Sequence, residues 1–209
     1  MKLKVCGMNH NPKEVAQLQP DYMGFIFWEP SSRFFKGEMP TLSKSIKNVG
    51  VFVNASLEEV LEKAQKYNLA AVQLHGSESP EFCKDLRENT QSLDIIKVFS
   101  IKDDFDFSIL KRYEEVCDHY LFDTKGKLPG GNGYTFDWSV LNNYPSTKPY
   151  FLSGGIGLES VEKLESFMNS PTSKYCHVID VNSKFEIKPG LKDIDQLKKF
   201  KNRLTQDTI

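Results

Sequence analysis

Short apolar runs recur along the chain, separated by longer polar segments. They are KLKVC (2–6), YMGFIF (22–27), NVGVFV (48–53), AAVQLH (70–75), DIIKVF (94–99), HYLFD (119–123), PYFLS (149–153) and CHVIDV (176–181). All eight are rich in Val, Ile and Phe and mostly lack clean polar alternation, the pattern of parallel strands covered on both faces. The segments between them carry helical spacing. After the third run, Ser56 stands as an N-cap with Glu59 three residues on, and Leu57, Val60, Leu61 and Ala64 share one face. After the fourth, Ser79 and Pro80 open ESPEFCKDLREN, with Phe82, Cys83 and Leu86 on its apolar side, which makes Cys83 a core residue.

LESVEKLESFM after the seventh run and DIDQLKKFKNRL after the eighth repeat the pattern through Leu158, Val161, Leu164 and Met168 and through Ile194, Leu197 and Phe200. The helix after the first run, Pro12 to Gln17, is short. Eight strand and helix units in alternation predict an α/β fold, a single-domain (β/α)8 barrel over residues 1–209. No linker, low-complexity tract or change of composition divides it. A doubly wound open sheet is the competing architecture, but CGMNHNP after the first strand has one glycine and no GxGxxG fingerprint.

Composition narrows the partners. Lys plus Arg number 27 against 28 Asp plus Glu, so no global charge excess gathers nucleic acid or an anionic membrane surface, and an anionic ligand must be held by a local site. No apolar run approaches the roughly 20 residues that span a bilayer. The four cysteines, Cys6, Cys83, Cys117 and Cys176, form no CxxC, and the first strand begins with no basic and apolar leader before it. Reduced thiols and a cytoplasmic location are the expectation.

In a barrel, chemistry collects where strands end on the carboxyl face. The residues there are Cys6 and Gly7, Trp28 to Arg33, Asn54, Gln73, His75 and Gly76, Ser100, Asp123, Ser153 to Gly155, and Asp180 to Ser183. A thiol, a carboxylate, a guanidinium and two polar or glycine-rich turns suit acid–base work beside an anion pocket. Cys6 in VCGM is either a small core residue or a thiol that a ligand reaches. In FLSGGIGLESV, Gly154 and Gly155 let the chain approach a phosphate closely, with Asn182 and Ser183 of DVNSKFEIKPG beside them; the alternative is a tight turn and nothing more. GKLPGGNGYTFDW (126–138) reads as a mobile flap, with Phe136 and Trp138 anchoring the helix that follows it.

Taken together and in order, KVCGM, GFIFWEPSSRF, VGVFVN, VQLHGSE, FDTK with GGNGYTFDW, LSGGI, and DVNS with KPGLKD resemble the phosphoribosylanthranilate isomerase family of tryptophan biosynthesis, over essentially the whole length. The resemblance implies an Amadori rearrangement of an aminoaldose to an aminoketose, with Cys6 as general base and Asp123 as general acid. It implies no metal and no cofactor, and a small phosphosugar as the partner. It places Arg33 on the substrate carboxylate, where a guanidinium forks onto two oxygens. The phosphate falls to Gly154, Gly155, Asn182 and Ser183. Such a pair asks for a cation near Cys6, to favour its thiolate, and for burial of Asp123, to favour its acid form.

Two features depart from the family pattern: Lys184 stands where glycine is usual, and Tyr134 where lysine is frequent. Lys184 either contacts phosphate or strains its loop. His75 has no chemical step assigned. A metal-using epimerase would want more strand-end histidines, and an indole-forming lyase a strand-end lysine, for which Lys4, inside the first strand, is poorly placed. A non-catalytic phosphosugar-binding barrel would have no need of both Cys6 and Asp123.

Overall fold

A computed structural model describes residues 1–90, 92–102, 104–124 and 136–206. The eight apolar runs form β1 (Lys2–Val5), β2 (Tyr22–Ile26), β3 (Lys47–Phe52), β4 (Ala71–Leu74), β5 (Asp94–Ile101), β6 (His119–Thr124), β7 (Tyr150–Leu152) and β8 (Cys176–Val181). They lie parallel in chain order. β1 pairs with both β2 and β8, so the sheet closes into the barrel that the alternation predicts. A small antiparallel hairpin, β9 (Glu186–Lys188) and β10 (Leu191–Lys192), follows β8.

Among the described residues, five α-helices lie around the strands: α1 (Pro12–Gln17), α2 (Leu57–Lys66), α3 (Pro80–Asn89), α4 (Val161–Met168) and α5 (Ile194–Gln206). The caps are those the sequence marks, with Ser56 Oγ accepting from Glu59 N at 3.1 Å and Ser79 Oγ from Phe82 N at 3.2 Å. Strict alternation is not kept. No helix joins β2 to β3, a connection that carries Pro30, Gly37 and Pro40 and touches the sheet through a bridge from Ile26 to Phe34. Proline removes the N–H and fixes the φ that a helix interior needs.

Among the described residues, the connections after β5 and β6 hold only short 3-10 segments, Phe107–Tyr113 and Trp138–Asn143. Each opens on an aspartate that takes an N–H two residues on, Asp106 from Ser108 and Asp137 from Ser139. Phe136 and Trp138 are buried as anchors, whereas the glycine-rich 126–135 segment and Tyr134 lie outside the described residues.

Alternation along each strand divides the barrel interior into layers. Tyr22, Val49, Ala71, Ile96, Val98, Leu121, Phe151 and Val178 fill one end as a compact apolar plug. Two residues further along the same strands, the inward positions are Gly24, Val51, Gln73, Ser100, Asp123, Ser153 and Asp180. The interior therefore turns polar as it approaches the carboxyl end. The larger apolar cluster lies between barrel and outer elements and includes Val60, Cys83, Leu86, Leu164, Leu197 and Phe200. Cys83 packs there as expected, and all four cysteines are free and buried.

Lys97 sits on the outward parity of β5, yet it is only 3% exposed. Its Nζ donates to Leu74 O at 3.2 Å, Gly76 O at 2.8 Å and Glu78 Oε2 at 3.0 Å. Glu78 accepts in turn from Asn54 N at 2.8 Å and Gly76 N at 2.9 Å. This pair ties the ends of β3, β4 and β5 together beneath the mouth. Removing one partner of a buried pair costs about 3–5 kcal/mol, because the other charge is left without compensation. Glu78→Ala is therefore expected to lose stability on that scale in urea unfolding; a loss below ~1 kcal/mol, typical of an exposed pair, would show that the clamp is dispensable.

Candidate active site

Cys6 follows the last residue of β1, and its N–H bonds to Val181 O at 2.9 Å, so the closed seam with β8 fixes its backbone. The thiol needs space from the neighbouring strand. A Cβ at Gly24 would lie 2.6 Å from Cys6 Sγ, so glycine on β2 makes the room. Two residues back on the same face, Lys4 points into the barrel with no solvent exposure. Its Nζ lies 2.8 Å from Asp180 Oδ2 and 2.7 Å from Gln73 Oε1, beside the Cys6 thiol. Burial opposes its charge, but Asp180 and Cys6 hold the ammonium above its ordinary pKa.

The cation expected near Cys6 is thus present, and so is a second, Lys192. The net effect on the thiol is nevertheless upward, because burial outweighs the pull of both lysines and Asp180 adds to it. The remaining thiols are also high by burial, Cys83 at about 11 and Cys117 and Cys176 at about 12.

Across the mouth, Asp123 is 4% exposed on β6. Its Oδ1 accepts from Thr124 N at 3.0 Å, and its Oδ2 lies 3.3 Å from His75 Nε2. Gln73 Nε2 meets His75 Nδ1 at 3.1 Å. Gln73 and His75 share a face of β4 by the same two-residue period that pairs Lys4 with Cys6.

The loop after β7 turns through Gly154 at φ 98° and Gly155 at φ 65°, a left-handed pair that side chains rarely adopt. A Cβ on Gly154 would also fall 2.5 Å from Thr124 N. Asn182 and Ser183 lie beside this turn after β8, and all four line one cavity with Cys6, Arg33, Asp123, His75 and Trp28. Lys184 is not among the residues with positive φ, so it does not strain its loop. Its Nζ instead pairs with Glu159 Oε1 at 2.7 Å, joining the turn after β8 to the chain after β7. The Lys184 hydrogen bond lowers the Glu159 pKa.

Arg33 belongs to a second charged group, which the sequence reading missed. Its Nε and Nη2 fork onto Glu186, with Nη2 2.7 Å from Oε2. Lys192 Nζ adds a bond to Glu186 Oε1 at 2.8 Å and another to Asn182 Oδ1 at 2.8 Å. Burial raises the Glu186 pKa, but Arg33 and Lys192 outweigh it and leave the carboxyl below its usual range. Lys192 is pulled down by burial to about 8. The guanidinium is held from one side, with Nη1 outside the pairing.

Residues 3–203 match the family model of N-(5'-phosphoribosyl)anthranilate isomerase. The chain is 44% identical to the N-(5'-phosphoribosyl)anthranilate isomerase of Parabacteroides distasonis, covering 100% of this chain and 96% of the relative. It is similar to the crystal structure of phosphoribosyl anthranilate isomerase from Thermotoga maritima, with a TM-score of 0.78, 29% identity and 99% of both chains covered. A further solved phosphoribosyl anthranilate isomerase, in complex with reduced 1-(o-carboxyphenylamino)-1-deoxyribulose 5-phosphate, aligns with a TM-score of 0.75 and 27% identity over 99% of each chain.

Among the four thiols, Cys6 is the one that lines this cavity. Iodoacetamide is expected to alkylate it first, at a rate that rises with pH beyond the ordinary thiol value of 9.0, since the thiolate is the nucleophile. Peptide mass spectrometry reads the order of labelling. Labelling of Cys117 or Cys176 ahead of Cys6, or a rate already at its plateau at neutral pH, would contradict this picture.

Proposed function

The chain belongs to the N-(5'-phosphoribosyl)anthranilate isomerase family, and from that premise we infer that Cys6 and Asp123 run its rearrangement as base and acid. The enzyme is an intramolecular aldose–ketose isomerase of tryptophan biosynthesis. Asp123 gives a proton to the furanose ring oxygen, the C1–O bond breaks, and the nitrogen lone pair forms the C1=N iminium. Cys6 then removes the proton on C2, and the C–H electron pair returns through C2=C1 to nitrogen. The resulting enolamine becomes the ketone by proton shifts, so no external oxidant or reductant enters. Each proton transfer to or from a positioned side chain contributes about 10²- to 10⁴-fold in rate.

The observation supporting this reading is the placement of the two groups. They stand on inward positions of strands on different sides of one mouth, and the left-handed glycine turn opens onto the same cavity. Burial holds the Cys6 pKa up, so this reading has the thiolate form within the substrate complex, where Lys4 and Lys192 are placed to balance it. Phosphate is assigned to Gly154, Gly155, Asn182 and Ser183, next to the Lys184–Glu159 bridge. Arg33, braced by Glu186, takes the anthranilate carboxylate through the Nη1 side. The deoxyribulose phosphate carried by the solved relative has both a carboxyphenyl and a phosphate end, as this division of the cavity requires. No helix among the described residues is long and apolar enough to cross a membrane.

Conversion of phosphoribosylanthranilate, followed by loss of anthranilate-type fluorescence, tests the assignment of roles. Cys6→Ala is expected to lower kcat by about 10²- to 10⁴-fold while product still binds; activity within about twofold of the parent would remove Cys6 from the reaction.

Arg33→Lys keeps the charge but loses the paired geometry, and should weaken product binding about 10-fold or more while leaving inorganic phosphate binding within about twofold. Ser183→Asp, which sets a carboxylate against the dianion, should weaken both ligands. Equal loss of phosphate binding in the two variants would show that the ends of the substrate are assigned wrongly.

A further inference from the structure

Four interior side chains form an unbroken polar path across the barrel, from Asp180 on β8 through Lys4 on β1 and Gln73 on β4 to His75, which faces Asp123 on β6. Its direction follows from donor and acceptor chemistry. An ammonium has no acceptor, so the Gln73 atom 2.7 Å from Lys4 Nζ must be the amide oxygen. The amide nitrogen therefore faces His75 Nδ1 at 3.1 Å. An amide nitrogen donates and does not accept, so Nδ1 must be the accepting nitrogen and the ring hydrogen must sit on Nε2. That atom is buried with no in-line hydrogen-bond partner, 3.3 Å from Asp123 Oδ2.

We propose that Lys4 and Gln73 are positioning residues for the acid step: anchored by Asp180, they lock His75 in the tautomer whose Nε2–H faces Asp123. The inference rests on the reading of Asp123 as the acid. Once Asp123 has given its proton to the substrate it becomes a carboxylate, and the Nε2–H donor 3.3 Å from it needs only a small realignment to make a charge-assisted hydrogen bond. The opposite tautomer would turn a nitrogen lone pair toward that new charge. Lys4 takes part in both halves of the reaction, since the same ammonium that orients Gln73 lies beside the Cys6 thiol. Burial keeps the arrangement fixed, with Gln73 2% and Lys4 0% exposed.

Long-range proton–nitrogen correlation spectra of protein labelled with 15N-histidine report the tautomer directly, and loss of one signal set in His75→Asn assigns His75 among the four histidines. The expected wild-type result is a pyridine-like Nδ1 and a pyrrole-like Nε2. Gln73→Glu presents an acceptor where the amide donated, so the hydrogen should move to Nδ1. kcat should then fall about 10- to 100-fold, the range of a hydrogen bond to a charged group, while KM stays within about threefold.

Gln73→Met, which keeps the bulk and removes the amide, should leave a mixture of tautomers and an intermediate kcat. A wild-type Nδ1–H tautomer would overturn the proposal without any variant having to fold. So would a folded Gln73→Glu protein that kept Nε2–H, or one that switched tautomer with unchanged kcat. Asp123→Asn separates the two readings: if it retained turnover, the acid assignment and the role of the path would both fall, even with the wild-type tautomer as stated.

Discussion

A lysine ammonium inside the barrel and out of contact with water constrains this structure more than any other group. Taking such a charge out of water costs several kcal/mol unless partners surround it. Lys4 obtains them from three directions, and each fixes part of the architecture. Asp180, its register partner across the β1–β8 seam, lies on the strand pair that closes the barrel. Gln73 reaches it from β4 across the interior. Cys6, two residues along the same strand, lies beside it at the mouth. The interior therefore cannot be a uniform apolar core: the apolar plug ends where Lys4 begins, and the polar layer above it is arranged by which atoms can accept from an ammonium.

The same constraint shapes the thiol. A cation next to a cysteine normally depresses its pKa, yet at Cys6 burial prevails over two lysines. The thiol is held high by burial while two cations stay in place beside it. On the opposite side of the cavity, one Asp123 oxygen is fixed by the N–H of the following residue and the other faces an imidazole.

Much of this was legible in the residues. The eight apolar runs became the eight strands within a few residues at each end, because parallel strands covered on both faces show as continuous hydrophobic runs. Cys6, Arg33, Asp123, Gly154, Gly155, Asn182 and Ser183 do line one cavity. Lys4, inside the first strand, reads from the sequence only as a lysine poorly placed for a lyase. The signal that would have recovered it is parity: a lysine two residues before a strand-end cysteine shares its face, as Gln73 shares that of His75. Glu186 and Lys192 left a weaker trace, since nothing local in KFEIKPGLK says that a hairpin folds them back onto a loop some 150 positions away. The helices expected in every connection failed where prolines and aspartate-capped turns held the chain in other conformations, a local preference that a count of alternating units does not register.

Two charged assemblies, one from Asp180 to His75 and the other from Arg33 through Glu186 to Lys192, flank Cys6 without a shared hydrogen bond. They meet through Asn182, whose Oδ1 accepts from Lys192 and whose chain position follows Asp180 and Val181 on β8. This makes the end of β8 the hinge of the site's electrostatics. Asp180 anchors the lysine beneath the thiol, Asn182 anchors the lysine beside it, and Ser183 begins the turn assigned to phosphate. Lys184 then ties that turn to the neighbouring loop through Glu159. Where a glycine would leave the two loops independent, this chain links them by an ion pair at the rim. Partly exposed charges pair only weakly, so this link is softer than the buried pairs beneath it. The exposed charge pair sits at the rim, and the buried ones, Lys4 with Asp180 and Lys192 with Glu186, lie deeper beside the thiol.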